Sequence, residues 1–99
     1  MPETRPRPEA ARVLGLAEVT SRTTFLKCMG RTYTATATGN GVVALCDATD
    51  ITRPVPLGTA RQVAPDLWAV HSARGDELLH TADLLPALAA LREAFTAPR

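Results

Sequence analysis

Four side chains in this chain of 99 residues could bind a soft metal or supply a nucleophile and its base: Cys28, Cys46, His71 and His80. Thiolate and imidazole are good zinc donors, but compact zinc sites bring them in short pairs. The successive spacings here are 18, 25 and 9, which fit no such pattern, so neither a metal nor a cofactor is expected. A cysteine nucleophile served by a distant histidine stays open, because partners of that kind meet only in the fold. It defines one reading, a small cysteine-centred enzyme or ligand-binding domain. The chain has no acid-base cluster and no phosphate-cradling glycine loop, so no catalytic residue is assigned and a non-enzymatic protein is expected.

The arginines offer different chemistry. Arg5, Arg7, Arg12, Arg22, Arg31, Arg53 and Arg61 could form a basic stripe around a small sheet, and the first five of them are the candidate nucleic-acid contacts. Sheet-based nucleic-acid binders also use exposed aromatics for stacking, for which Phe25 and Tyr33 are the candidates. Net charge is +1, yet residues 1–61 carry eight basic and five acidic side chains, and residues 62–99 three and five. Such asymmetry could steer an anionic partner or pair two copies head to tail. Weak nucleic-acid binding through the arginine-rich front is the second reading.

The element that must position these groups is most legible at residues 31–47. Thr32, Thr34, Thr36 and Thr38 alternate with Tyr33, Ala35 and Ala37, a period of two that suits a pleated strand. Gly39-Asn40-Gly41 then tolerates positive φ and reverses the chain. A three-residue loop ending in a left-handed Gly41 pairs Ala35 with Leu45 and Ala37 with Val43, which puts large residues opposite small ones on one core face. The other face then carries the threonines with Val42, Ala44 and Cys46. Thr32, Thr34, Thr36, Thr38 and Cys46 are therefore the candidate interface.

Around this hairpin, residues 1–8 hold three prolines and two arginines and read as a flexible tail, leaving 9–99 as a single domain. Ala10, Val13, Leu14 and Ala17 fall at helical spacing behind Pro8. Residues 23–29 predict a strand, with a bulge at Gly30 that brings Leu26 and Cys28 onto the face of Tyr33. Residues 50–57, with Pro54 and Pro56, read as a connection holding at best an edge strand. Residues 59–64 and 67–72 predict two more strands, with Trp68 and Val70 inward and His71 outward. Arg74-Gly75-Asp76 is ordinary turn chemistry, and residues 77–80 a short strand or helix lead-in. Leu84, Leu88, Leu91 and Phe95 mark the buried stripe of a last helix, capped by Thr81 or Asp83. The fold class predicted is α+β, an antiparallel sheet of four to five strands with a short N-terminal helix and a C-terminal helix packed on it.

A domain this small buries only about 65% of its unfolded surface, and its aromatics are Phe25, Tyr33, Trp68 and Phe95 alone, so self-association or a partner is expected. No apolar run is long enough to cross a bilayer, and the N-terminus lacks the apolar stretch of a signal peptide. The expectation is a cytoplasmic protein with reduced cysteines. Ten arginines against one lysine fit high-GC coding and a bacterial source.

Residues 42–57, VVALCDATDITRPVPL, resemble the VAV-R-D-S-K-D-P segment of small actinobacterial accessory proteins tied to developmental regulators, the BldB and WhiJ-associated type. Val43, Ala44, Leu45, Asp47, Asp50, Pro54 and Val55 carry the similarity, with Cys28 upstream and with Cys46 where arginine is usual. The resemblance transfers no functional residue. It implies a non-enzymatic regulatory or adaptor protein that acts as a homodimer and through contact with another protein.

Overall fold

The computed structural model describes residues 15–28 and 30–96. They form six strands and one helix: β1 Thr24–Cys28, β2 Arg31–Ala37, β3 Val42–Asp47, β4 Val55–Ala64, β5 Leu67–Ser72, β6 Glu77–Thr81 and α1 Leu84–Thr96. The strands pair strictly in chain order, each antiparallel to the next, as short turns between successive strands require.

The central hairpin has the register its sequence predicts. Ala35 pairs with Leu45 and Ala37 with Val43, Gly41 has φ 72°, and the Thr38 N–H donates to the Val42 carbonyl at 2.8 Å. The residues predicted to face inward do so: Tyr33, Ala35, Val43 and Leu45 are buried, as are Trp68 and Val70 on β5, and Ala37 is partly buried against the same core. Leu26 pairs with Tyr33 and Cys28 with Arg31. Gly30, at φ 78°, thus belongs to a two-residue turn rather than a bulge, and Leu26 and Cys28 still reach the core side.

Helix α1 lies across β6, β5 and β4, burying Leu84, Ala87, Leu88 and Leu91. Phe95, expected in the same stripe, is 59% exposed. It belongs to the last turn, which lines a small cleft beside Arg31, Asp47 and Leu57. Before the helix, the Asp83 N–H donates to the Thr81 hydroxyl at 3.1 Å. Gly15 bridges to Asp83, and the Leu16 N–H donates to the Ala82 carbonyl at 2.9 Å.

Two parts of the predicted fold class are corrected. The sheet has six strands rather than four to five, because residues 55–57 extend β4 and residues 77–81 pair with β5. The N-terminal helix is not formed where the chain is described: Leu16–Glu18 makes a single 3₁₀ turn, which buries Leu16 against the core and leaves Ala17 exposed. Gly15 precedes that turn in an extended conformation, which interrupts the helical spacing. Residues 9–14 of the expected helix, and the predicted tail at 1–8, lie outside the described residues.

Pro56 escapes its usual exclusion from a sheet interior through a bulge. Leu45 pairs with Gly58 and Cys46 with Pro56, so Leu57 is an extra residue on β4. Beyond Gly58, β5 has ended, so the missing N–H of Pro56 breaks no ladder bond on that side. Two further register shifts leave Val63 and Leu78 as extra residues. Each adds bend and twist to the sheet.

Candidate functional site

One face of the sheet packs against α1 and the 3₁₀ turn; no described element crosses the other. The pairing registers define the rows of this open face. Phe25, Thr34, Cys46 and Pro56 form one; Thr36, Ala44, Thr59, His71 and Glu77 the next; Val42, Arg61, Ala69 and His80 a third. Its middle mixes small side chains (Thr34, Thr36, Val42, Ala44, Cys46 and Thr59) with Arg61 and His71, with Phe25 63% exposed at one side and Leu67 39% exposed near the other.

Where β4 bulges, the open face sinks into a shallow depression of about 530 Å³, whose lining includes Ala44, Cys46, Pro56, Thr59, Arg61 and His71. Its floor is thin because the bulge turns both Leu57 and Gly58 toward the helix. A Cβ on Gly58 would stand 2.1 Å from the His71 carbonyl oxygen and 2.6 Å from Leu91 Cδ2. At its rim, His80 Nε2 lies 3.1 Å from Glu77 and His71 Nε2 3.9 Å from the same carboxylate.

The candidate interface residues divide. Thr32, Thr34, Thr36 and Cys46 lie half-buried on the open face, and the Thr36 hydroxyl donates to that of Thr23 at 3.2 Å. Thr38 lies beyond the strand, where its hydroxyl donates to the Val42 carbonyl at 3.1 Å and closes the hairpin loop.

Cys28 and Cys46 are free thiols on opposite faces of the sheet. Cys46 and His71 line the same depression, but β4 stands between their strands, which separates them by roughly 10 Å, beyond hydrogen-bond reach. No group of three or more His, Cys, Asp or Glu suited to a metal occurs among the described residues.

The arginine stripe is not assembled by the described residues either. Arg5, Arg7 and Arg12 lie outside them. Arg22 precedes β1 at one end of the first hairpin, while Arg31 opens β2 at the other. Arg31 is also engaged: its Nε donates to Asp47 Oδ2 at 2.7 Å, and this hydrogen bond, with the carboxylate's charge, raises the guanidinium pKa further.

Asp47 is the hub of a structural cluster rather than a site. Its Oδ1 accepts from the Thr49 N–H at 2.9 Å and the Thr49 hydroxyl at 2.6 Å. Partial burial pushes its pKa up, but the two Thr49 hydrogen bonds and Arg31 outweigh this and hold it below the usual carboxylate range. Asp50 repeats the turn three residues on, accepting from the Thr52 hydroxyl at 2.6 Å, which with the Thr52 N–H lowers its pKa. The tandem Asp-x-Thr in residues 47–52 was the signal for these paired side-chain turns. Of the residues that carry the actinobacterial resemblance, Asp47 and Asp50 thus build the β3–β4 connection, Val43 and Leu45 fill the core, and Ala44 lines the depression.

Sequence spacing did not single out Thr59, Ala69 or Glu77, which the bulged strands bring onto the open face. No helix of the described residues is long and apolar enough to cross a membrane. Comparison of the chain with protein-family models, with curated proteins and with solved structures returned no match.

Proposed function

We propose that this chain is a small, non-enzymatic regulatory or adaptor protein of the bacterial cytoplasm that dimerises through the open sheet face and acts by contact with another protein. One observation carries the reading: a six-stranded sheet packs one face against α1 and the 3₁₀ turn, while the other, of Thr and Ala with Cys46, Arg61 and the histidines, is left without a covering element among the described residues. A sheet ordinarily buries its apolar face against a second layer. The resemblance at residues 42–57 points the same way.

Magnitude sets the kind of dimer. Six strands about 4.8 Å apart with about five paired residues each give roughly 400 Å² of flat face. Allowing for side-chain relief, two stacked faces bury about 1,200 Å² in total, the lower edge of stable interfaces. Weak self-association is expected for an interface at that edge, and the micromolar range is where it is tested.

Sedimentation equilibrium between about 1 and about 500 µM spans that range. Wild type should convert from monomer to dimer within it. Thr59→Lys, at an exposed position in the middle of the face, should remain monomeric, because it would bury two like charges against each other. A wild type that stays monomeric throughout overturns the dimer. The adaptor half is tested by purification from the native host, where recovery of the bait alone at low and high salt counts against it. Of the arginines expected to contact nucleic acid, Arg31 is held by Asp47 and Arg22 lies a strand's length away, so these two do not form one patch.

A further inference from the structure

The charges on the open face are unevenly placed, and a twofold-symmetric contact must reconcile them with themselves. The paired positions of this face carry Lys27 on β1, Arg61 on β4, His71 on β5, and Glu77 and His80 on β6. Glu77 is the carboxylate among them. Arg61 lines the depression, and no carboxylate is among the described residues that line it with Arg61. The depression therefore offers a cation, with Thr59 and Cys46 beside it, to an anionic group from beyond the described residues that line it.

Arg61 and Glu77 are two strands and one row apart, about 12 Å from backbone to backbone. Two stackings of the face on a second copy follow. If the axis passes through Arg61, that guanidinium meets its own symmetry mate, a like-charge contact that costs binding. If it passes midway, close to Ala69 and His71, and perpendicular to the line joining the two residues, each Arg61 meets the partner's Glu77, and the contact is made twice.

Resting on the dimer reading above, we infer that the two open faces stack about an axis near Ala69, and that each depression receives the partner's Glu77 against Arg61. The ion pair fixes the register of two otherwise featureless Thr/Ala surfaces, and the depression is the receptor for it.

Charge reversal tests this directly. Arg61 and Glu77 are both exposed, so Arg61→Glu and Glu77→Arg should fold, which circular dichroism and the fluorescence of buried Trp68 verify. By sedimentation, each single variant should self-associate at least about tenfold more weakly than wild type, since it turns both attractive contacts of a dimer repulsive. An equimolar mixture of the two single variants should recover wild-type affinity within about threefold, and so should the double variant, because either restores both opposite-charge contacts. If wild type dimerises and the single variants match it, or the mixture is no tighter than its components, the crossed ion pair is wrong while the dimer stands. If wild type is monomeric, the dimer reading itself fails and takes this inference with it.

Discussion

Replacing Gly58 with alanine is the sharpest single perturbation of this fold. The added Cβ would stand 2.1 Å from the His71 carbonyl oxygen, a backbone atom, and 2.6 Å from Leu91 Cδ2. Ordinary contact lies near 3.5 Å, so β4 and β5 must separate by about 1 Å where Gly58 pairs with Ser72, or the bulge must unwind. Leu91, fully buried, must leave its rotamer as well. Overpacking of this kind costs about 1–3 kcal/mol, and a strained or broken ladder bond adds about 1 kcal/mol. Alanine returns about 0.5–1 kcal/mol by restricting the unfolded chain. The net loss is roughly 1–3.5 kcal/mol, a fall in Tm of about 5–25 °C for a domain of this size.

Urea unfolding followed by Trp68 fluorescence measures this loss, since that side chain is buried. Gly30→Ala is the control. Gly30 has φ 78° but open space around it, so its alanine carries only the left-handed backbone penalty of about 1 kcal/mol. A Gly58→Ala variant within about 0.5 kcal/mol of wild type, or no worse than Gly30→Ala, would refute the close approach of β4, β5 and α1 at the bulge.

Further expectations concern other parts of the molecule. The folded pKa of Asp47 lies below its unfolded value, so its stabilisation is complete above the ordinary carboxylate range and is lost as pH falls through the lower folded value. Asp47→Asn should therefore unfold more easily at neutral pH and show a shallower acid limb when urea midpoints are compared across pH. Leu91→Ala should cost about 3 kcal/mol by cavity formation, whereas Phe95→Ala, at an exposed last turn, should cost under about 1 kcal/mol; equal losses would contradict the end of the buried stripe at Leu91. Alkylation by iodoacetamide, read by mass spectrometry, should slow at Cys46 as protein concentration rises through the proposed dimer transition. Cys28, on the opposite face, should react at a rate independent of concentration.

What the sequence made legible depended on how locally the physics was written. Residues 31–47 carry a two-residue period and a glycine-bracketed turn, and both are properties of neighbours, so register and faces followed from them. The helix stripe was equally local, except at Phe95. Whether the helix's last turn still has sheet beneath it depends on how α1 crosses the strands, which no helical period encodes. β4 was half hidden because Pro56 is tolerated only where Leu57 bulges and β5 has already ended, two facts that belong to pairing between distant strands. β6 was ambiguous because Glu-Leu-Leu-His-Thr suits helix or strand, and Leu78 sits at a bulge that blurs its alternation. The open face suffered most: Arg61, Ala69 and Glu77 share it only after two register shifts, at Val63 and Leu78, so their spacing along the chain carried no trace of their meeting.

If the open face self-associates as proposed, the bulge at Leu57 ties stability to assembly, and the two can be separated. On the helix side it packs Leu57 and brings Gly58 under Leu91; on the open side the same irregularity makes the depression that Arg61 lines. A face that self-associates stabilises the folded chain by mass action, so wild-type Tm should climb with protein concentration. Thr59→Lys touches only the open side. It should retain the Tm of the dilute wild type and lose its dependence on concentration. Gly58→Ala strikes the packed side first, so its Tm should fall even in dilute solution where no dimer exists. Should Thr59→Lys lower the dilute Tm as much as Gly58→Ala does, the two sides of the bulge are not independent, and Thr59 is holding the fold together rather than facing a second copy.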